Sequence, residues 1–292
     1  MRSLLFVPAD SERKLAKGTT SGADALLVDL EDSVAADRKP AAREMARDFV
    51  ASVKSQQQRP RLYVRINNLL SDFWRDDLDV VMQARPDGIM LPKPRSGEDV
   101  HRMSLLLGQH EERHGISQGA TRIIAISTET PLAVLNMASF IDASARLEGL
   151  TWGAEDLSAE LGSAAVREAN GAFTSPYRLA RDLCLFTAVA ANAQPIDTVF
   201  IDFRDSDGLR REAETAARDG FTGKMAIHPD QVAIINDAFT PSAAEIERAR
   251  GIVAMFAASP EAGVISLNGQ MYDRPHLTRA ERVLARLGLG ST

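Results

Sequence analysis

Two carboxylates, Glu129 and Asp156, stand at the ends of successive apolar runs, 122–127 and 150–152, with helix-forming residues between them. That order reads as a βαβ crossover, which sets both acids on one rim of a parallel α/β barrel. Two hard oxygen donors, with positions left for water and substrate, suit an octahedral Mg²⁺. The other strand ends are polar as well: Asp29, Glu31 and Asp32 close the second run, Arg65 the third, Lys93 the fourth and His228 the eighth. An arginine among acids on a dry rim can hold a substrate carboxylate or a neighbouring oxygen. The competing role for Arg65 is an ion pair with Asp29 or Glu31. Glu31 and Asp32 either hold metal-bound waters behind the ligands or cap the next helix. Lys93 suits an ion-pair role as well as a substrate contact. The acids around it would raise its pKa, against Schiff-base chemistry. His228 reads as a hydrogen-bonded strand-end residue, and His101, His110 and His114 as solvated positions on a polar helix.

Positioning these groups takes eight apolar, β-rich runs: 3–8, 25–30, 61–66, 88–91, 122–127, 150–152, 198–201 and 224–227. Helix-forming segments separate most of them, at 11–18, 41–55, 76–83, 98–114, 131–141, 176–191 and 207–219, and another follows at 231–238. Eight such alternations in about 240 residues are the arithmetic of a (β/α)₈ TIM barrel, an α/β fold. The competing doubly wound sheet lacks its Gly-rich fingerprint after the first strand. Residues 1–240 are therefore expected to form the catalytic barrel. Residues 241–292 are a C-terminal extension, a lid and oligomer contact. In it a helix over 241–258 is capped by Thr240 or Ser242, an extended hairpin-like piece follows, and 279–287 forms a last helix.

The 292 residues are 45% hydrophobic and 25% charged with a net charge of −6, ordinary for a globular enzyme. No basic block and only 5% aromatic residues argue against nucleic acid as a partner. Cys184 alone, in an apolar helical run, reads as a small core residue; no disulfide or thiolate metal site is possible. The first apolar run is too short for a signal peptide, and nothing reaches transmembrane length, so a cytoplasmic protein without a membrane partner is expected.

The motifs Leu4-Leu-Phe-Val-Pro8, Val28-Asp-Leu-Glu-Asp-Ser-Val34, Val64-Arg-Ile-Asn67, Leu91-Pro-Lys93, Ser127-Thr-Glu-Thr-Pro131, Gly153-Ala-Glu-Asp-Leu157 and Ile227-His-Pro229 occur in this order along the chain. Together they resemble the citrate lyase β-subunit-like family of the HpcH/HpaI aldolase superfamily. The resemblance implies a Mg²⁺-dependent carbon–carbon lyase. Its substrate would be a citryl-, malyl- or citramalyl-type 3-hydroxyacyl thioester on CoA or an acyl carrier, cleaved to an acyl thioester and a 2-oxo acid. It implies Glu129 and Asp156 as metal ligands, Glu129 also touching substrate, and Arg65 as the substrate-binding arginine. Arg13 and Lys17, four apart on one face of the first helix, match positions that contact CoA phosphates. Phe6 stands where CoA lyases of the family carry tyrosine, removing one hydroxyl. Asp273 resembles an aspartate that reaches into a neighbouring subunit as acid/base, in a homotrimer or hexamer. The sugar-acid aldolases place a histidine base just after the second strand; Glu31-Asp32-Ser33 stands here, which favours the thioester branch. The alternatives are a malyl-CoA-type thioesterase on the same scaffold and a non-catalytic subunit that retains the fold.

Overall fold

The computed structural model describes residues 1–267 and 269–287. Asn268 and 288–292, within the expected extension, lie outside the described residues. The chain divides into two compact units, 1–239 and 240–292.

In the first unit β1 (Ser3–Pro8), β2 (Ala25–Asp29), β3 (Arg61–Arg65), β4 (Gly88–Leu91), β5 (Arg122–Ile126), β6 (Leu147–Thr151), β7 (Gln194–Asp197) and β8 (Gly223–Ala226) form a closed parallel barrel in chain order. The connecting helices are α1 (Glu12–Thr19), α2 (Lys39–Lys54), α3 (Trp74–Val81), α4 (Gly97–His114), α5 (Pro131–Leu135), α6 (Ala154–Leu161), α7 (Ser175–Ala190) and α8 (Ser206–Asp219), and α9 (Asp230–Ala238) follows β8. Eight strands of this closure leave an interior that side chains fill.

Strand alternation decides what reaches the mouth. Leu4, Ala25, Leu27, Tyr63, Met90, Ile124, Ile126, Ile196 and Met225 form one buried cluster, with Phe6 packed on it. Leu26, Val28, Leu62, Val64 and Ile123 belong to a second cluster, with residues of the helices. A period of two therefore carries the inward set on from Leu27 to Asp29 and from Tyr63 to Arg65. At the other end of the barrel, Glu148 sits where the β5–β6 register shifts, a bulge. There it accepts from Arg61 and from the Tyr63 hydroxyl at 2.5 Å.

Four expectations are corrected. The seventh strand is Gln194–Asp197, not 198–201. Pro195 and Asp197 hide it, since proline is rare in a central strand and its acid is neutralised inside the fold by Lys224 at 2.7 Å. The sixth strand begins at Leu147, before the expected 150, because Glu148 and Gly149 break the apolar run. A helix unrecognised in the sequence, α6, follows it, so Asp156 lies in a first helical turn and not on a strand end. His110 is buried among the inward residues of α4 and stacks on His114, not solvated.

In the second unit α10 (Ala243–Ala258) is capped by Ser242 in a reciprocal box with Glu245. The antiparallel hairpin β9 (Val264–Leu267) and β10 (Gln270–Asp273) leads into α11 (Arg274–Ala285). Ala249, Ile252, Phe256, Ile265, Tyr272, Ala280 and Leu284 make its own small core. No helix among the described residues is long and apolar enough to cross a membrane.

Candidate active site

The β5–α5 and β6–α6 turns are stitched together by hydrogen bonds. Ser127 N donates to Thr151 O at 2.8 Å, and Gly153 N to Thr128 Oγ1 at 3.2 Å. Glu129 lies across Gly153: a Cβ there would sit 2.8 Å from Glu129 Cγ. Only glycine leaves that path open. Glu129 is 2% exposed, while the Asp156 side chain, in the first turn of α6, is 35% exposed.

Lys93 joins the two. Its backbone N–H donates to Glu129 Oε2 at 2.5 Å. Its ammonium lies 2.9 Å from Glu31 Oε1, 3.2 Å from Asp32 Oδ2 and 3.2 Å from Asp156 Oδ1. Between two prolines, Lys93 adopts φ +50, a left-handed conformation that costs a non-glycine residue about 1 kcal/mol or more. Burial alone would lower the Lys93 pKa, but Glu31, Glu129 and Asp156 raise it. The sequence left ion-pair and substrate roles open for Lys93; the geometry is that of an ion-pair hub.

Arg65 is gripped side-on. Nε and Nη2 each donate to Asp29 at 2.7 Å, and Nη1 lies 3.1 Å from Glu31 Oε2. That last pair is close without hydrogen-bond alignment, since Glu31 Oε2 has no hydrogen-bond partner. A guanidinium has five N–H donors. Two are committed to Asp29, so the outer Nη1/Nη2 edge keeps donors for a further acceptor. The Phe6 ring covers the guanidinium at 4.8 Å, so Phe6 supports Arg65 by cation–π contact.

The charges shift as this packing requires. Burial raises the Glu129 pKa well above the usual carboxylate range, and Asp156 and Glu31 push it further. Burial also raises Glu31, to about 7, against the pull of Arg65 and Lys93. Burial would raise Asp29 too, but Arg65 outweighs it and holds the pKa below normal.

Glu129, Asp156, Arg65, Asp29, Glu31 and Asp32 are thus brought into one connected cluster. Arg13 and Lys17 are exposed on α1, which starts directly after β1. Asp273 ends β10 in the second unit; its Oδ1 lies 2.5 Å from His276 Nδ1, a contact that lowers its pKa. Lys39 and the Arg65-covering role of Phe6 were not found in the sequence. The signal for Phe6, an inward strand position beside Asp29 and Arg65, was present in the alternation. Among the described residues no set of three or more His, Cys, Asp and Glu side chains is arranged to hold a metal. A pair of carboxylates, the rest of the shell being water and substrate, is the ordinary mode for Mg²⁺.

A closed (β/α)₈ barrel with convergent acids and an arginine at the C-terminal rim has the architecture of a TIM-barrel enzyme. The chain belongs to the HpcH/HpaI aldolase/citrate lyase family, whose model matches residues 2–229; that of the C–C bond lyases of the TIM-barrel fold matches 174–289. It is 32% identical over 285 residues to the citrate lyase subunit beta of Leuconostoc mesenteroides subsp. cremoris, covering 97% of this chain and 92% of that protein. It is 35% identical over 291 residues to a (3S)-malyl-CoA thioesterase of Cereibacter sphaeroides, covering 98% and 94%. The crystal structure of protein CitE from Mycobacterium tuberculosis in complex with magnesium, acetoacetate and coenzyme A superposes with a TM-score of 0.79, at 33% identity, over 99% of this chain and 100% of that one. The chain is an enzyme of the oxo-acid lyase class.

Proposed function

We propose that the enzyme cleaves a 3-hydroxyacyl thioester of citryl, malyl or citramalyl type to an acyl thioester and a 2-oxo acid, with Mg²⁺ as cofactor. The observation that carries this reading is the convergence of three acids on Lys93, whose N–H donates to the buried Glu129 and whose ammonium stands 2.9 Å from Glu31 and 3.2 Å from Asp156. These acids outnumber the one ammonium among them, which leaves negative charge for a further cation, and Glu129 and Asp156 would hold Mg²⁺. The magnesium and acetoacetate held by the CitE structure support the assignment. When bound, Mg²⁺ supplies Lewis-acid stabilisation of the developing oxyanion, worth several kcal/mol.

The remaining work falls to the chain's own groups. The outer edge of Arg65 takes the carboxylate of the oxo-acid half, and Asp29 keeps the fork aimed. Arg13 and Lys17 hold the CoA phosphates. Asp273 of a neighbouring copy takes the hydroxyl proton. The C–C bond then breaks, its electron pair passes to the α-carbon of the thioester, and Asp273 returns the proton there. A shared site of this kind requires a homo-oligomer, for which the family resemblance suggests a trimer or hexamer. With Cys184 as the chain's one cysteine, the cytoplasm fits as its compartment.

The thioesterase relative favours a second reading, hydrolysis of the same substrate class. Product analysis separates the two. Malyl-CoA with Mg²⁺ should give acetyl-CoA and glyoxylate. Free CoA with malate would support hydrolysis, and no consumption of any acyl-CoA in a panel would overturn both.

A further inference from the structure

Lys39, at the start of α2, is buried and spends its ammonium on neutral oxygens. Its ammonium donates to Leu30 O at 2.8 Å, Glu31 O at 2.9 Å and Asn67 Oδ1 at 2.7 Å. An ammonium has three donors, so all are used. The Phe73 ring lies 5.5 Å from the same nitrogen. Asn67 is itself held, since its backbone N–H and Nδ2 both donate to Asp77 Oδ2, at 2.8 and 2.7 Å. Arg43 Nε donates to the other Asp77 oxygen at 2.7 Å.

The opposite side of the same turn is held by an anion. Asp29 accepts from Glu31 N at 2.9 Å and Ser33 N at 3.2 Å. Residues 30–33 are therefore fixed through their carbonyls by Lys39 and through their amides by Asp29. The two oxygens of Asp29 that take these amides also take the two Arg65 donors. A shift of the turn would move the Asp29 hydrogen bonds, the Glu31 carboxylate and the Arg65 fork together.

We propose that Lys39 is a positioning residue for the substrate carboxylate: it locks the turn after β2 so that the outer edge of Arg65 stays aimed at the mouth. This rests on reading Arg65 as the partner of the oxo-acid carboxylate. Lys39→Met keeps most of the stem and deletes the donors. Asp87→Asn, at the other end of the barrel, serves as a control that disturbs stability alone.

The test measures amide hydrogen exchange and KM on wild type and both variants. In Lys39→Met, the Glu31 and Ser33 amides should lose at least tenfold protection. The KM of the 2-oxo acid in the condensation direction should rise at least tenfold, with the acyl-thioester KM within twofold of wild type. Asp87→Asn should lower Tm without either change. If Lys39→Met matches the control in both readouts, the proposal is overturned. Should Lys39→Met fail to fold, Lys39→Gln takes the same measurements with the same expectation. Exchange needs no turnover. A wild type inactive on every acyl thioester would overturn the lyase reading and with it the substrate role of Lys39, while the exchange result would still decide whether Lys39 locks the turn.

Discussion

Lys93 and Glu129 are joined through a backbone N–H at 2.5 Å, while the ammonium of the same lysine stands 3.2 Å from Asp156. One residue thus ties both proposed metal ligands and places a positive charge beside them. A cation there stabilises the acids and opposes a second cation. Lys93→Met should bind Mg²⁺ about tenfold more tightly, roughly 1.4 kcal/mol, since a like charge is removed in a partly solvated site. The metal-free variant should melt earlier. Calorimetric titration and thermal melting check both; weaker Mg²⁺ binding would mean that the ammonium does not oppose the metal.

Gly153 supplies a steric test of the same ligand. A methyl group 2.8 Å from Glu129 Cγ forces that side chain aside. Gly153→Ala should lower Mg²⁺ affinity by tenfold or more and kcat/KM with it. Far-ultraviolet dichroism should stay at the wild-type level. Unchanged Mg²⁺ affinity would mean that Glu129 can move without consequence.

At the opposite end of the barrel, Asp87 accepts from Arg59, Lys54 and the Leu62 amide. Burial would raise its pKa, but these donors bring it down to about 2. A depressed carboxyl contributes stability above its unfolded value near 4, and that contribution is lost as pH falls from about 4 to 2. Asp87→Asn should therefore cost about 1–2 kcal/mol at neutral pH and progressively less below pH 4. Denaturant melts at pH 7 and pH 3 measure the difference, and an equal loss at both would rule out the charge as the cause.

The shared site can be tested by complementation. Asp273→Asn and Glu129→Gln should each be nearly inactive alone. Mixed, unfolded and refolded together, they should recover about a quarter of wild-type activity if Asp273 acts in a neighbouring copy, because random assembly restores some intact sites. No recovery would put Asp273 and Glu129 of one chain in one site, or Asp273 outside the chemistry.

The barrel was legible because seven of its strands are dense in apolar residues. The remaining one, β7 (Gln194–Asp197), was not, because its charge is neutralised by Lys224, which is distant in sequence, and its proline occupies an atypical place. Glu129 and Arg65 were legible as charged residues closing apolar runs, whereas Asp156, read as another strand end, lies in the first turn of α6. Lys39 was not: on sequence alone it is an ordinary first-turn lysine, and its burial depends on three acceptors that only the folded turn brings together. Alternation fixes which strand residues face inward, but it carries no information on which loop carbonyls need a donor.

The most direct measurement is calorimetric titration of Mg²⁺, with pyruvate present, into wild type, Glu129→Gln and Asp156→Asn. Wild type should bind one Mg²⁺ per chain, and each variant should lose at least tenfold in affinity while keeping its fold by circular dichroism. Wild-type affinity in either variant would contradict the assignment of that acid, and in both it would remove the metal from the barrel mouth.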